Sequence, residues 1–379
     1  MKRFTIAALL LTAAANAFAC SADDVIAAIN SDQATVVERC LTQRYPIDAQ
    51  GAEGQTALIA AARYGFSEQS ALVDRLLARN ASVDLRDSRQ RTALIYAAEQ
   101  GWASIAGKLL AKNADPNAAD ANGTTALMAG VYYGKGAVVS QLLAKGARVD
   151  ARDWKGRTAL IVAVEEKNGD DARFVDVVNQ ILAASADIDA TDESGRTALL
   201  HASERGWLAM VDLLLARGAK TDIQDRRGYT ALIGAVYAQN AEVVARLLGA
   251  KADPNPADAD GRTALIEAAA WRQPEIARML LDHGADPNAR DRTGRTALIQ
   301  AAVGDQDAII NALLARKADI NARDASGRTA LITAALEGNA AAVRALLAGR
   351  PDRAVRDNEG RTAKKYAEER GFREIARLL

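Results

Sequence analysis

The chain has 379 residues, of which 49% are hydrophobic but only 4% aromatic, with 48 basic and 48 acidic side chains. A balanced charge argues against a nucleic-acid partner, which requires a basic field. With two histidines and two cysteines, little is left for zinc or for a Ser/His triad. Length alone suggests about two or three domains, but a repeated motif overrides that expectation.

The first nineteen residues (1–19) read as a signal peptide. Met1-Lys2-Arg3 is a basic start, Ile6 to Ala15 an apolar run, and Ala17-Phe18-Ala19 an A-x-A cleavage site. The apolar run is too short for a spanning helix of about 20 residues, so no membrane insertion is expected. The pattern predicts export, and the style of the sequence suggests a periplasm. Cleavage after Ala19 leaves Cys20 first. A lipid anchor there is disfavoured, because Ala17 and Phe18 stand where a lipobox has Leu and a small residue. The other thiol is Cys40, and two cysteines in an exported chain suggest a Cys20–Cys40 disulfide. Two unpaired thiols are the alternative.

Residues 20–53 read as a degenerate N-terminal capping unit. Asp23 and Asp24 suit a helix N-terminus ahead of Val25 to Ile29, and a second helix runs from about Ala34 to Leu41.

From 54 to 359 a motif such as Gly261-Arg262-Thr263-Ala264-Leu265-Ile266 recurs. Its threonine falls at Thr56, Thr92, Thr125, Thr158, Thr197, Thr230, Thr263, Thr296, Thr329 and Thr362. The interval is 33 residues, except for 36 after Thr56 and 39 after Thr158. Such a period predicts a solenoid. In the unit from Asp291, the turn Asp291-Arg292-Thr293-Gly294 precedes Thr296, able to N-cap a short apolar helix. A polar break and a second helix follow, the latter marked by Ile309, Ile310, Leu313 and Leu314 at helical spacing. Neither helix can bury its apolar face alone, so neighbouring units must stack. The extra residues of the two long intervals lie near 66–70 and 166–171, between the helices of a unit, and read as surface insertions. Residues 360–379 form a C-terminal capping unit, in which Lys364 and Lys365 replace the Leu and Ile of the motif. About eleven helix–turn–helix units are expected.

The unit resembles the ankyrin repeat, a β-turn plus two helices with a 33-residue period. The helix end and return strand of that family are matched by Leu280-Leu281-Asp282-His283-Gly284-Ala285-Asp286-Pro287-Asn288-Ala289. The family's Thr-Pro-Leu-His reads here as Thr-Ala-Leu-Ile, so apolar packing must replace the Thr–His hydrogen bonds. The resemblance implies an all-α repeat solenoid, with no cofactor and no metal, that binds a protein partner through turn tips and first-helix ends on a concave face. On those positions stand Tyr64, Tyr132, Tyr133, Trp154, Tyr229, Tyr237 and Trp271, of residue types enriched at binding hot spots. The alternative is that these aromatics pack between repeats. Trp102 and Trp207 begin the inter-helix turns.

A catalytic reading has little support. The acids Asp87, Asp120, Asp153, Asp192, Asp225, Asp258, Asp291, Asp324 and Asp357 form one periodic column, as turn chemistry requires. A catalytic carboxylate pair would be singular. His201 and His283 lie in different units. The arginines at 91, 157, 196, 262, 295, 328 and 361 form a second column, expected to pair with the turn aspartates rather than to bind an anionic polymer. The sequence therefore favours a non-catalytic, exported protein-binding scaffold. An inhibitor or immunity protein is the narrower alternative, and a carboxylate-dependent hydrolase the remote one.

Overall fold

The computed structural model describes residues 20–379 apart from 44, 65–68, 166–171 and 305; the side chain of Gln69 is also outside the description. The leader 1–19 and most of both inserted segments therefore fall outside the described residues. The described residues form 22 helices in eleven consecutive pairs, from Ala22–Asn30 with Ala34–Thr42 to Ala363–Glu369 with Arg373–Leu378. First helices pack on first helices of adjacent units and second helices on second helices. The result is a two-layer, all-α repeat solenoid. The expected return strand does not form: among the described residues the turns carry only isolated bridges, at Ala119–Thr125, Thr191–Thr197 and Ala257–Thr263. No helix among them is long and apolar enough to cross a membrane.

The unit beginning at Asp258 shows how sequence becomes structure. Asp258 Oδ1 accepts from the backbone N–H groups of Asp260 and Arg262, both at 2.8 Å, which closes the turn. Gly261 completes it at φ +77°. A Cβ there would lie 3.0 Å from Arg292 N in the next turn, so glycine serves both the left-handed backbone and the close approach of the neighbour. Thr263 then caps the helix Ala264–Ala270 through its hydroxyl, which accepts from Ile266 N. Leu265, Ile266, Ala268 and Ala269 are all buried. Small alanine side chains let the first helices of adjacent units lie close together, and Ile266 is buried with them. The second helix, Pro274–Asp282, starts on a proline in its first turn, where no N–H is needed. It ends where Ala285 N donates back to Leu280 O at 3.0 Å with Gly284 at φ +88°, a Schellman-type stop.

Two hydrogen-bond ladders join one unit to the next. In the first, each turn donates a backbone N–H to the preceding turn, as Arg292 N does to Asp260 O at 2.8 Å and Ala325 N to Thr293 O at 2.8 Å. In the second, an Asp or Asn after the second helix accepts the backbone N–H of the equivalent stretch in the following unit. Asp48, Asp84, Asn117, Asp150, Asp189, Asp222, Asn255, Asn288 and Asn321 all do this, at 2.7–3.0 Å. The ladder is continuous through the turn positions from Asp48 to Asp352. Its donors are exposed residues, so each rung adds about 0.5–1.5 kcal/mol at most and serves chiefly to fix the register of one unit on the next.

At the N-terminal end, Asp23 Oδ1 accepts from Ala52 N at 2.9 Å. Cys20 and Cys40 are brought together, with Cα atoms 5.5 Å apart. A bond between them would close a loop of 20 residues and restrict the unfolded chain by about 3 kcal/mol.

Each turn aspartate holds its own turn, so removing one should open the array locally. Asp291→Ala is expected to destabilise its unit by about 2 kcal/mol, because the amides of Thr293 and Arg295 lose their acceptor. Asp291→Asn, which keeps a carbonyl oxygen in place, should cost less than about 1 kcal/mol. Native-state hydrogen exchange resolved by unit would check this, with faster exchange centred on residues 291–303 in the alanine variant alone.

Candidate functional site

The surface formed by turns and first-helix ends is organised by two positions of the unit: the residue before the capping threonine, and the residue eight places later. In three units these are an Arg and a Glu that pair across the first helix: Arg91 with Glu99, Arg157 with Glu165 and Arg196 with Glu204. Arg361 and Glu369 approach at 3.7 Å in the last unit. The same arginines reach turn aspartates, as Arg157 Nε does to Asp153 at 2.8 Å and Arg196 Nε to Asp225 at 3.3 Å. In these units the column arginine therefore pairs internally, as expected, but its main partner is a glutamate on the first helix that the periodicity alone does not reveal.

The second carboxylate oxygen of the turn aspartate is served by a third position, four residues after the capping threonine. Tyr96 donates to Asp87 Oδ2 at 2.7 Å and Tyr366 to Asp357 Oδ2 at 2.6 Å, while His201 Nε2 lies 3.0 Å from Asp192 Oδ2. Burial raises the Tyr96 and Tyr366 hydroxyls above their ordinary value, and the hydrogen bond to aspartate raises them further. The phenols thus remain donors. The acid column is accounted for by these contacts and by the nine turns, whose Oδ1 atoms each accept two amides at 2.8–3.0 Å.

The seven aromatic candidates divide into groups. Tyr229 and Tyr237 occupy the two positions that elsewhere carry Arg and Glu. Their rings lie 5.3 Å apart and their hydroxyls 3.1 Å. Trp271, at the end of the next first helix, meets Tyr237 edge-on at 5.9 Å. This cluster is fixed from beneath: the buried Glu267 accepts from Trp271 Nε1 and from Arg262, both at 3.1 Å. Arg227 covers the outer Tyr229 ring at 4.4 Å. Burial first, then the Tyr229 hydrogen bond and the Glu267 charge, push the Tyr237 hydroxyl well above its ordinary range. Trp271 is nevertheless 49% exposed, a rigidly supported apolar ledge.

Tyr132 and Tyr133 form a second group, T-stacked at 4.7 Å. They border an open cavity of about 280 Å³ together with Arg91, Thr124, Met128 and Arg157. The cavity exists because Thr124 is small where neighbouring units carry arginine. Trp154 stands alone at a turn tip, 62% exposed, beside Lys155. Tyr64 is half-buried, with Arg63 over its ring and over that of Tyr96. The structure thus makes one three-ring cluster, one pair and two separate aromatics from the seven. Trp207, at an inter-helix turn, is buried against Phe174 and belongs to the core, whereas Trp102 is exposed. Among the described residues there is no group of three His, Cys, Asp or Glu side chains able to hold a metal ion.

A family model for ankyrin repeats, in three-copy form, matches residues 25–120, 103–175, 171–258, 235–324 and 298–379. A search of the curated proteins finds no match.

His201 makes the array acid-sensitive. Burial lowers its imidazole below the usual 6.5, against the opposing pull of the Asp192 hydrogen bond. The unfolded chain therefore binds a proton more readily than the folded one, and stability falls as the pH drops through about 6.5 towards the folded value. His201→Gln, which keeps a donor to Asp192, should flatten this acid limb. Urea midpoints at about pH 7 and about pH 5 should separate more for the native chain than for the variant.

Proposed function

We infer the function from one premise: the chain belongs to the ankyrin-repeat family, whose arrays generally mediate protein–protein interaction and are typically non-catalytic. We propose that this protein is an exported scaffold that binds another protein along the face formed by its turns and first-helix ends. The observation that carries the reading is the Tyr229–Tyr237–Trp271 cluster. Aromatics are scarce in this chain, yet three of them meet on this face, locked by Glu267, Arg262 and Arg227 while leaving Trp271 open to solvent. A hot spot needs a large apolar contact area with little left to order on binding, and this cluster has both. The cavity beside Tyr132 and Tyr133 is a second recess, able to take one side chain of a partner. The same rigidity favours a blocking role, in which the partner is an enzyme or toxin inhibited by occupation.

Export to the periplasm is part of the proposal. It is supported by the basic, apolar and A-x-A segments of residues 1–19 and by the approach of Cys20 to Cys40, a pairing suited to an oxidising compartment.

Crosslinking in intact cells followed by mass spectrometry tests the binding reading. Trp271→Ala and Tyr237→Ala should each weaken the crosslinked partner by about 2 kcal/mol or more, roughly thirtyfold, with Lys112→Ala as an unaffected control. A partner retained equally by both aromatic variants would overturn the choice of face. The intact mass of the chain from the cell envelope should correspond to residues 20–379 with two hydrogens fewer than the dithiol; a mass that retains residues 1–19 would refute export by cleavage.

A further inference from the structure

Resting on the protein-binding reading, the chemistry of the partner can be taken from a break in the charge pairing. The residue eight places after the column arginine is Glu in the units of Arg91, Arg157, Arg196 and Arg361. It is Ala270, Val303 and Leu336 in the three consecutive units of Arg262, Arg295 and Arg328. Arg262 recovers a partner in Glu267. The other two have only looser contacts, and Arg328 also lies over the Tyr366 ring at 5.8 Å. The nearest acid to Arg295 is Asp324 at 4.0 Å, and those to Arg328 are Asp357 at 3.9 Å and Glu359 at 4.0 Å. These separations are too long for hydrogen bonds.

Exposure is greatest at Arg295, while Arg328 at 27% lies below the Glu267-paired Arg262 at 38%. The Arg157 side chain, tied to Glu165 and Asp153, is 14% exposed, whereas that of Arg295 is 42% exposed. The turn acids nearby are occupied, since Asp324 and Asp357 each accept two amides and Asp357 also takes the Tyr366 hydroxyl. Apolar surface lies in the places vacated by glutamate: Val303 is 42% exposed and Leu336 half-buried, in units that follow the one carrying Trp271. The array therefore presents two under-paired guanidinium groups, one per unit, interleaved with apolar side chains.

We propose that this C-terminal half of the face docks an extended, acidic segment of the partner protein, with one carboxylate taken by Arg295, a second by Arg328, and apolar residues between them seated towards Val303 and Leu336. Adjacent helices pack roughly 8–10 Å apart, and a segment in the polyproline-II conformation rises about 3.1 Å per residue with every third side chain on one face. The two carboxylates are therefore about three residues apart in the docked segment. Arginine suits this role because its planar fork binds a carboxylate through two donors.

Fluorescence anisotropy with the full chain tests the proposal, the probe being a labelled synthetic peptide with the core Asp-Leu-Val-Asp between neutral flanks. Binding is expected that weakens with added salt, and about tenfold with each of Arg295→Gln and Arg328→Gln. Arg295→Lys should retain part of it, and Lys112→Gln all of it. Thermal melts of the same variants separate loss of binding from loss of folding. The proposal is overturned by equal binding of the Lys-Leu-Val-Lys peptide, by indifference to the spacing of the two acids, by an unchanged affinity in the Arg295→Gln/Arg328→Gln double variant, or by no binding at all. Self-association lost in the same variants, seen by sedimentation, would make the occupant a second copy and overturn it too. A crosslinked partner lost in Trp271→Ala but kept in the double variant would overturn the acidic segment alone and leave the protein-binding reading standing; the absence of any partner dependent on Trp271 or Tyr237 would overturn that reading itself.

Discussion

The array depends on a single carboxylate oxygen in each of nine turns, from Asp87 to Asp357. Oδ1 of Asp258 gathers the amides of Asp260 and Arg262 and so fixes the chain direction immediately before the capping Thr263. With the turn closed, the Asp260 carbonyl faces the next unit and accepts from Arg292 N. Local turn chemistry and inter-unit register are thus set by the same residue. A helix of seven residues such as Ala264–Ala270 is too short to persist in water by itself. It exists because the turn presents it in register with two neighbours that cover its Leu, Ile and Ala side chains. Stability accumulates through nearest-neighbour contacts rather than through one central core.

That arrangement leaves the outward positions free to vary. The residue before the threonine and the residue eight later do not hold the fold, and they change along the chain from Arg–Glu to Thr124–Tyr132, Tyr229–Tyr237 and Arg295–Val303. Each substitution alters the face without moving the backbone beneath it. A small residue opens a cavity at Thr124, two tyrosines build a ledge, and the loss of glutamate exposes an arginine. The chemistry of the face is therefore written in departures from the repeat, while its geometry is written in the repeat itself.

Legibility in the sequence follows the same division. Asp258 and Thr263 act on residues within four positions of themselves, so their roles can be read from turn and capping rules. The number of units and the burial of the Ala-Leu-Ile segment follow from the period. The Asn288 acceptor is different: its partner, Asp319 N, is 31 residues away, and only stacking brings them together. The Arg–Glu pairs span eight residues, a distance at which no rule for an isolated helix predicts contact, because the arginine precedes the helix and folds back over it. Likewise Glu267 carries no sequence mark of its function. It is buried acid in an alanine helix, and only the positions of Arg262 and Trp271 explain it. The aromatic candidates were identifiable by position, but their division into a cluster, a pair and two separate residues depends on which units carry arginine between them.

Because each unit is held by its neighbours, a ligand that touches several units does more than occupy them. Contact with Trp271, Val303 and Leu336 would bridge three consecutive first helices, and any bound segment stabilises the units it spans relative to their open forms. The ends of the array differ in how they resist opening. The N-terminal pair brings Cys20 to Cys40 and is tied by Asp23 to Ala52 N. The C-terminal pair carries no disulfide; it ends on a polar first helix with Lys364 and Lys365 outward and Tyr366 anchored to Asp357. An acidic segment bound at Arg295 and Arg328 would lie within the C-terminal half, on the two units that precede the last described pair. Binding there would lengthen the cooperatively folded part of the array, coupling occupancy of the face to the rigidity on which that occupancy relies.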